Sequence, residues 1–105
     1  MIRHCVLLKF MADVGADDKD AIFQRLASLQ GAVAGFERIA YGTNSSTEQR
    51  SQGFDDGFVI EFVDALARDT YLALPEHQRA GAALVAMLDG GHAGLVVFDL
   101  DDNPA

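Results

Sequence analysis

Ile2-Arg-His-Cys-Val-Leu-Leu-Lys-Phe10 is the stretch of sequence from which the fold is read most directly. It is too short to indicate a helix and is rich in residues that suit a pleated surface, so it predicts a strand. Because side chains alternate along a strand, one face carries Ile2, His4, Val6, Leu8 and Phe10. The opposite face carries Arg3, Cys5, Leu7 and Lys9. Both faces of the predicted strand therefore include apolar side chains.

Helical and strand-like patterns follow in turn along the chain. Asp17 or Asp18 can cap a helix that stops at Gly35. The apolar positions of this helix recur at helical spacing, at Ile22, Leu26, Leu29 and Val33. Residues 36–43 and 57–63 predict two further strands, and residues 44–53 are a polar loop without a periodic apolar face.

The second half of the chain predicts a broken helix and a last strand. Asp64 offers an N-cap to a helix that begins at Ala65. Pro75 interrupts this helix near Leu74, because proline lacks an amide proton and clashes with the preceding turn. A second helical piece is expected over residues 76–88, closed by Gly90-Gly91. The last strand covers residues 94–99, and a frayed acidic tail follows it.

The order β-α-β-β-α-β is typical of the ferredoxin-like split βαβ arrangement. We therefore expect an α+β fold, with a four-stranded antiparallel sheet that carries its helices on one face. The length of 105 residues fits one domain, residues 1–105.

The face of the sheet without helices is expected to be apolar rather than polar. The positions in the opposite phase include Cys5, Leu7, Ile39, Tyr41, Val59, Val63, Val96 and Phe98. The sequence leaves open which strand phases share a face, and either choice leaves a sizeable apolar patch. A monomer would expose this patch, and a second copy of the chain is the simplest cover for it. A homodimer is therefore predicted; the alternative is that the strands are apolar on both sides by chance.

The composition excludes several classes of partner. A net charge of -8 with eight scattered basic residues argues against binding nucleic acid or an anionic membrane surface. No apolar run approaches the ~18 residues of a membrane span, and the N-terminus lacks the features of a signal peptide. The single cysteine, Cys5, cannot form an internal disulfide and fits a reducing compartment. A cytoplasmic location is the expectation.

Neither a metal nor a cofactor is expected. His4 and Cys5 are neighbours in a strand and point to opposite faces, so they cannot readily bind one ion together. His92 follows two glycines in a loop and is most simply exposed to solvent. The chain contains no GxGxxG run, Walker loop, HExxH or CxxC.

Two histidines and a tyrosine are the candidate functional residues. His77 shares a helix stripe with Gly81, Leu84 and Leu88, so it is expected to face the sheet. A buried imidazole needs a hydrogen-bond partner, and Tyr71, on the other side of the Pro75 break, is the nearest candidate. If His4 faces the helices, all three residues line one cavity suited to proton transfer. The alternative is that each is a satisfied core residue.

One ordered set of residues resembles a known family. The set consists of His4 with Lys9-Phe10, Gly42-x-Asn44-x-Ser46, Gly53-Phe54, Tyr71 before Pro75-x-His77, and Asp99. Over essentially the whole chain it resembles the stress-responsive dimeric α/β-barrel (Dabb) domain. The resemblance implies a ferredoxin-like fold and a dimer whose two sheets close into a barrel.

The resemblance also implies a chemistry. A plant polyketide cyclase of this family performs an aldol condensation without a cofactor, and its essential histidine and tyrosine match His77 and Tyr71. Its strand histidine matches His4. Ala73, Leu74, Ala80 and Gly81 depart from its pocket, so its substrate is not carried over. The same superfamily includes cofactor-free monooxygenases and small-molecule-binding dimers.

Two functions therefore stay open at the level of sequence. The first is a cofactor-independent cyclase, isomerase or lyase for a small hydrophobic carbonyl compound, with His77 as base, Tyr71 as oxyanion support and His4 as a polar wall. The second is a non-catalytic stress-response or small-molecule-binding protein. Cavity volume separates a ligand site from a packed core, because a ligand site usually offers ~300 Å³ or more.

Overall fold

One antiparallel sheet carries three helices on one of its faces in the computed structural model, which describes residues 1–102. The strands are β1 Ile2–Leu8, β2 Phe36–Thr43, β3 Asp56–Phe62 and β4 Leu95–Asp101. The helices are α1 Ala16–Ala27, α2 Ala65–Ala73 and α3 Pro75–Val85, with short 3-10 turns at Gln30–Ala32 and Gly91–Gly94. The strand order is β2-β3-β1-β4, which confirms the ferredoxin-like prediction.

The first helix differs from its prediction at both ends. Gly15 is the N-cap and contributes no side-chain hydrogen bond, so the predicted cap by Asp17 or Asp18 is wrong. Both aspartates lie in the first turn instead, where negatively charged carboxylates interact favourably with the positive end of the helix dipole. The helix ends at Ala27 rather than near Gly35, because the Ser28 hydroxyl bonds the Arg25 carbonyl and the chain tightens into a 3-10 turn.

The broken helix is confirmed, with shifted ends. The Asp64 side chain accepts a hydrogen bond of 2.9 Å from the Ala67 amide and caps α2 as predicted. Pro75 is the first residue of α3, a position where its missing N–H would have no helical partner. Helix α3 ends at Val85 rather than at residue 88. Strand β4 continues through Asp101 into the predicted tail, of which residues 103–105 lie outside the described residues.

The strand faces follow the predicted alternation in β1. Ile2, His4, Val6 and Leu8 are buried beneath the helices. Ile39 and Tyr41 do not lie on the face of Cys5, Leu7 and Val59, with which the sequence pattern grouped them. They pair with Ile60 and Phe58 on the helix side, because a register shift between Phe36 and Arg38 reverses the phase of β2. Val63, also predicted in that face, lies just past the end of β3.

The surface opposite the helices, here called the outer face, remains apolar. Its apolar side chains are Cys5, Leu7, Val59, Val96, Phe98 and Leu100. Phe98 is 61% exposed, and Leu7, Val59, Val96 and Leu100 are also exposed. None of the helices within residues 1–102 has the length and apolarity to cross a membrane.

Candidate functional site

A cavity opens between the sheet and helix α3, because the helices leave the edge strand β4 partly uncovered. Val97 shows this directly: it lies on the helix side of β4 yet is 53% exposed. The cavity has a volume of about 600 Å³, twice what a ligand site minimally requires. Its apolar lining includes Val6, Leu26, Phe58, Leu84, Val85, Leu95 and Val97. The space is therefore a cavity and not a packed core.

All three candidate side chains line this cavity at the same end. The ring centroids of Tyr71 and His77 lie 4.3 Å apart, and those of His4 and Tyr71 lie 6.0 Å apart. His4 comes from β1, Tyr71 from the last turns of α2 and His77 from the first turn of α3. The break at Pro75 is what brings the two helical residues together, because it turns the chain between them.

The predicted hydrogen bond between His77 and Tyr71 does not form. The Nδ1 atom of His77 instead donates to the backbone carbonyl of Leu72 at 3.3 Å. In an unbroken helix that carbonyl would accept the amide of residue 76, but the break before Pro75 leaves it free. The rings of His77 and Tyr71 pack against each other, and the hydrogen-bond partner of His77 is a backbone carbonyl.

The hydroxyl of Tyr71 is buried and makes no hydrogen bond within residues 1–102. Its side chain is 0% exposed. Burial raises the pKa of Tyr71, so the phenol keeps its proton at neutral pH. A buried hydroxyl without a partner is unfavourable by about 1–3 kcal/mol, and a carbonyl ligand in the cavity would remove that penalty.

His77 is held as a neutral base. Burial lowers its pKa, and nearby His4 lowers it further against the opposing effect of the Leu72 carbonyl. Because Nδ1 carries the proton that bonds Leu72, the neutral ring has its lone pair on Nε2. Nε2 makes no hydrogen bond within the described part of the chain. The ring can therefore accept a proton at neutral pH.

Asp99 also lines the cavity; it is one of the residues that carry the family resemblance, but it was not among the candidate site residues. It lies opposite His4 across the β1–β4 pairing, and its Oδ1 accepts a hydrogen bond of 2.7 Å from Nδ1 of His4. Nη1 of Arg68 donates to the other carboxylate oxygen at 3.4 Å. The contact fixes the orientation of the buried His4 ring. A lone acidic residue within the apolar strand 95–100 was the signal that could have identified it.

Other predicted placements are mixed. Gly81 and Leu84 line the cavity with His77, as the helix stripe predicts, whereas Leu88 is buried outside it. His92 is exposed as predicted, but it also lies at the mouth of the cavity. His4 and Cys5 point to opposite sides of the sheet, as predicted.

Comparison with known proteins gives a family match over nearly the whole chain. A family model described as the stress responsive A/B barrel domain matches residues 2–102. A dimeric ferredoxin-like protein of unknown function from Jannaschia sp. is 33% identical, covering 96% of this chain and 98% of its own, with a TM-score of 0.89. No curated protein matches the sequence.

Two enzymes share the fold at lower identity. Hydroxynitrile lyase from Passiflora edulis is 17% identical and has a TM-score of 0.85, covering 99% of this chain and 94% of its own. SnoaB, a cofactor-independent oxygenase from Streptomyces nogalater, is 14% identical with a TM-score of 0.76, and the shares covered are again 99% and 94%. At such identities the likeness shows the fold alone.

Proposed function

The chain belongs to the stress responsive A/B barrel (Dabb) family, and from this premise we propose that its single domain, residues 1–105, is a cofactor-independent acid–base catalyst. Its substrate is a small hydrophobic carbonyl compound, and the reaction is that of a cyclase, lyase or isomerase. One observation carries the proposal: the unpartnered Tyr71 hydroxyl lies beside a neutral His77 in an apolar cavity of about 600 Å³.

The proposed step is removal of a proton from the carbon next to the carbonyl. Nε2 of His77 takes this proton, and the C–H electron pair moves into an enolate. The Tyr71 hydroxyl donates a hydrogen bond to the carbonyl oxygen, where the negative charge develops. The enolate then attacks a second carbonyl, expels a leaving group or regains the proton at another carbon. The three outcomes correspond to cyclase, lyase and isomerase.

Deuterium exchange tests the proposal without knowledge of the natural substrate. Acetophenone, butyrophenone and hexanophenone are incubated with the protein in deuterated buffer, and loss of the proton signal next to the carbonyl is followed by NMR. The proposal predicts faster exchange than in buffer alone. Binding of the ketones without faster exchange would support the non-catalytic binding protein instead, and absence of any binding would contradict both functions.

The proposal keeps His4 as a polar wall of the pocket beside Tyr71, and it gives Asp99 a positioning role through its hydrogen bond to His4. Asp99→Asn is expected to lower the exchange rate roughly 10- to 100-fold, since a hydrogen bond to a charged partner contributes about 1.5–3 kcal/mol. The ketone dissociation constant, measured by calorimetry, should stay near that of the wild type. Asp101→Asn, in the same strand, is the matched control and should leave both values unchanged. Equal rates for the two variants would contradict the role of Asp99.

The lowered pKa of His77 predicts how stability depends on pH. Because the folded-state pKa lies below the ordinary value of about 6.5, the unfolded chain binds more protons between these two values. The free energy of unfolding that depends on His77 is therefore fully present above pH ~6.5 and decreases as the pH falls toward the folded-state pKa. Urea denaturation of the wild type and of His77→Gln across this pH range measures the difference between their free energies of unfolding. If the pKa of His77 were unperturbed, this difference would not change with pH.

The proposal includes a homodimer that forms through the outer face. In the row Phe98, Cys5, Val59, Ala40 the largest side chain lies on β4 and the smallest on β2. In the row Val96, Leu7, Gly57, Gly42 the two bulky side chains lie on β4 and β1, and the two glycines lie on β3 and β2. The small end borders a hollow of about 560 Å³. A second copy, turned about a two-fold axis, would place its bulky β4 end over this hollow. The Jannaschia relative is described as dimeric, which supports the proposal.

Location and the excluded partners stay predictions from the sequence. The lone Cys5 fits the cytoplasm. The net charge of -8 disfavours nucleic acid and anionic membrane surfaces.

A further inference from the structure

The cavity has its buried polar side chains at one end and mainly apolar side chains at the other, where the exposed His92 also contributes to the lining. Along α3, His77 is followed on the cavity side by Gly81 and then by Leu84 and Val85. Strand β4 runs with the same polarity on its helix side, from Asp99 through Val97 to Leu95. The polar ends of α3 and β4 lie at the same end of the cavity, because Tyr71 and His77 are close to His4. At the opposite end, Leu88, just after α3, forms a β-bridge with Phe10. A ligand with its carbonyl at Tyr71 would extend its apolar part along α3.

Gly81 lies between these two ends, one helical turn after His77. It is in the interior of α3 with ordinary helical backbone, where glycine is the poorest helix former after proline. Packing gives no reason for it, because a Cβ built at Gly81 meets no atom within 4 Å. Gly57 and Gly94 differ in this respect, since a Cβ at either would lie 2.7 Å from a backbone oxygen. The open space at Gly81 belongs to the cavity.

We infer that Gly81 is a specificity-determining residue, whose missing side chain makes room for the apolar tail of the ligand beside His77. The inference rests on the proposed function and narrows its substrate class to uncharged carbonyl compounds with an extended alkyl or aryl tail. The lining supports this class, because no lysine or arginine of the described chain lines the cavity and could pair with an anionic group. A methyl or isobutyl group at position 81 would occupy the path of the tail.

The test compares Gly81→Ala and Gly81→Leu with the wild type by calorimetric titration of acetophenone, butyrophenone, hexanophenone and octanophenone. Alanine and leucine are strong helix formers, so both variants should melt at or above the wild-type temperature. Gly31→Ala is the control, since its Cβ also meets no atom within 4 Å but Gly31 does not line the cavity.

Affinity should depend on tail length in a way that differs between the variants. Each buried methylene is worth about fourfold in affinity, so wild-type dissociation constants should fall from acetophenone to hexanophenone. Gly81→Leu should weaken hexanophenone and octanophenone about 10- to 100-fold and leave acetophenone nearly unchanged. Gly81→Ala should shift the longest accepted tail by about one methylene. Gly31→Ala should follow the wild type.

The outcomes separate this inference from the proposed function. If the wild type binds the ketones and both Gly81 variants bind the long ones equally well, the specificity role is wrong and the proposed function stands. If the wild type binds none of the four ketones, the proposed function fails and the inference fails with it. Equal weakening of all four ketones by Gly81→Leu would also overturn the inference, because it would indicate a general disturbance of the site.

Discussion

His77→Ala and Tyr71→Phe should each lower ketone deuterium exchange by about 10²–10⁴-fold, because a general base and an oxyanion donor each contribute on that scale. Tyr71→Phe removes only the unpartnered hydroxyl, so it should leave the fold intact and can make the protein more stable. The exchange rates are measured by NMR in deuterated buffer, and the free energy of unfolding is measured by urea denaturation.

Matched controls exist for both substitutions. Tyr41, the other tyrosine of the chain, is exposed on β2, and its hydroxyl accepts a hydrogen bond from Gln24. His92 is the exposed histidine at the cavity mouth. Tyr41→Phe and His92→Ala should retain most of the exchange activity. If His77 were only structural, His77→Ala would lower stability by a few kcal/mol through the cavity that it creates, and exchange would not change. That pattern would contradict a catalytic His77.

Leu7→Asp and Phe98→Asp should convert a dimer into a monomer. Both side chains lie on the outer face, and a dimer interface there would bury the new carboxylate, a change that is unfavourable by several kcal/mol. Analytical ultracentrifugation at micromolar concentration should give twice 11.3 kDa for the wild type and 11.3 kDa for either variant. The monomeric variants should remain folded, because neither residue is part of the buried core.

Leu66→Asp is the control for the dimer experiment. Leu66 is 74% exposed, the most exposed of the large apolar side chains, but it lies on α2, away from the outer face. Leu66→Asp should leave the mass measured by ultracentrifugation at that of the dimer. A monomeric wild type, or a dimer that Leu66→Asp breaks and Phe98→Asp does not, would show that the outer face is not the interface.

The order of elements was predictable because each helix and strand has a local signal. The alternation in residues 2–8, the Asp64 cap and the Pro75 break all act over a few residues, and the structure confirms them. The faces of Ile39 and Tyr41 were not predictable in the same way. They depend on a register shift between Phe36 and Arg38, and only pairing with β3 reveals it.

The sequence predicted that His4, Tyr71 and His77 line one cavity, but it did not predict their contacts. Helical spacing and the Pro75 break place His77 and Tyr71 together. His77 donates its hydrogen bond to the Leu72 carbonyl because the helix break leaves that oxygen free. The residue types alone do not show whether His77 bonds to this carbonyl or to the Tyr71 hydroxyl. The contact between His4 and Asp99 depends on the register of β1 with β4, two segments that lie far apart in the sequence.

The proposed function depends on a hydrogen bond from the Tyr71 hydroxyl to a ligand carbonyl inside the cavity. Hexanophenone labelled with ¹³C at the carbonyl tests it most directly, because a hydrogen bond to the oxygen moves the carbonyl resonance downfield. We expect a downfield shift on binding to the wild type and a clearly smaller shift with Tyr71→Phe, which retains the cavity. The same shift in both proteins, or no shift in the wild type, would contradict it.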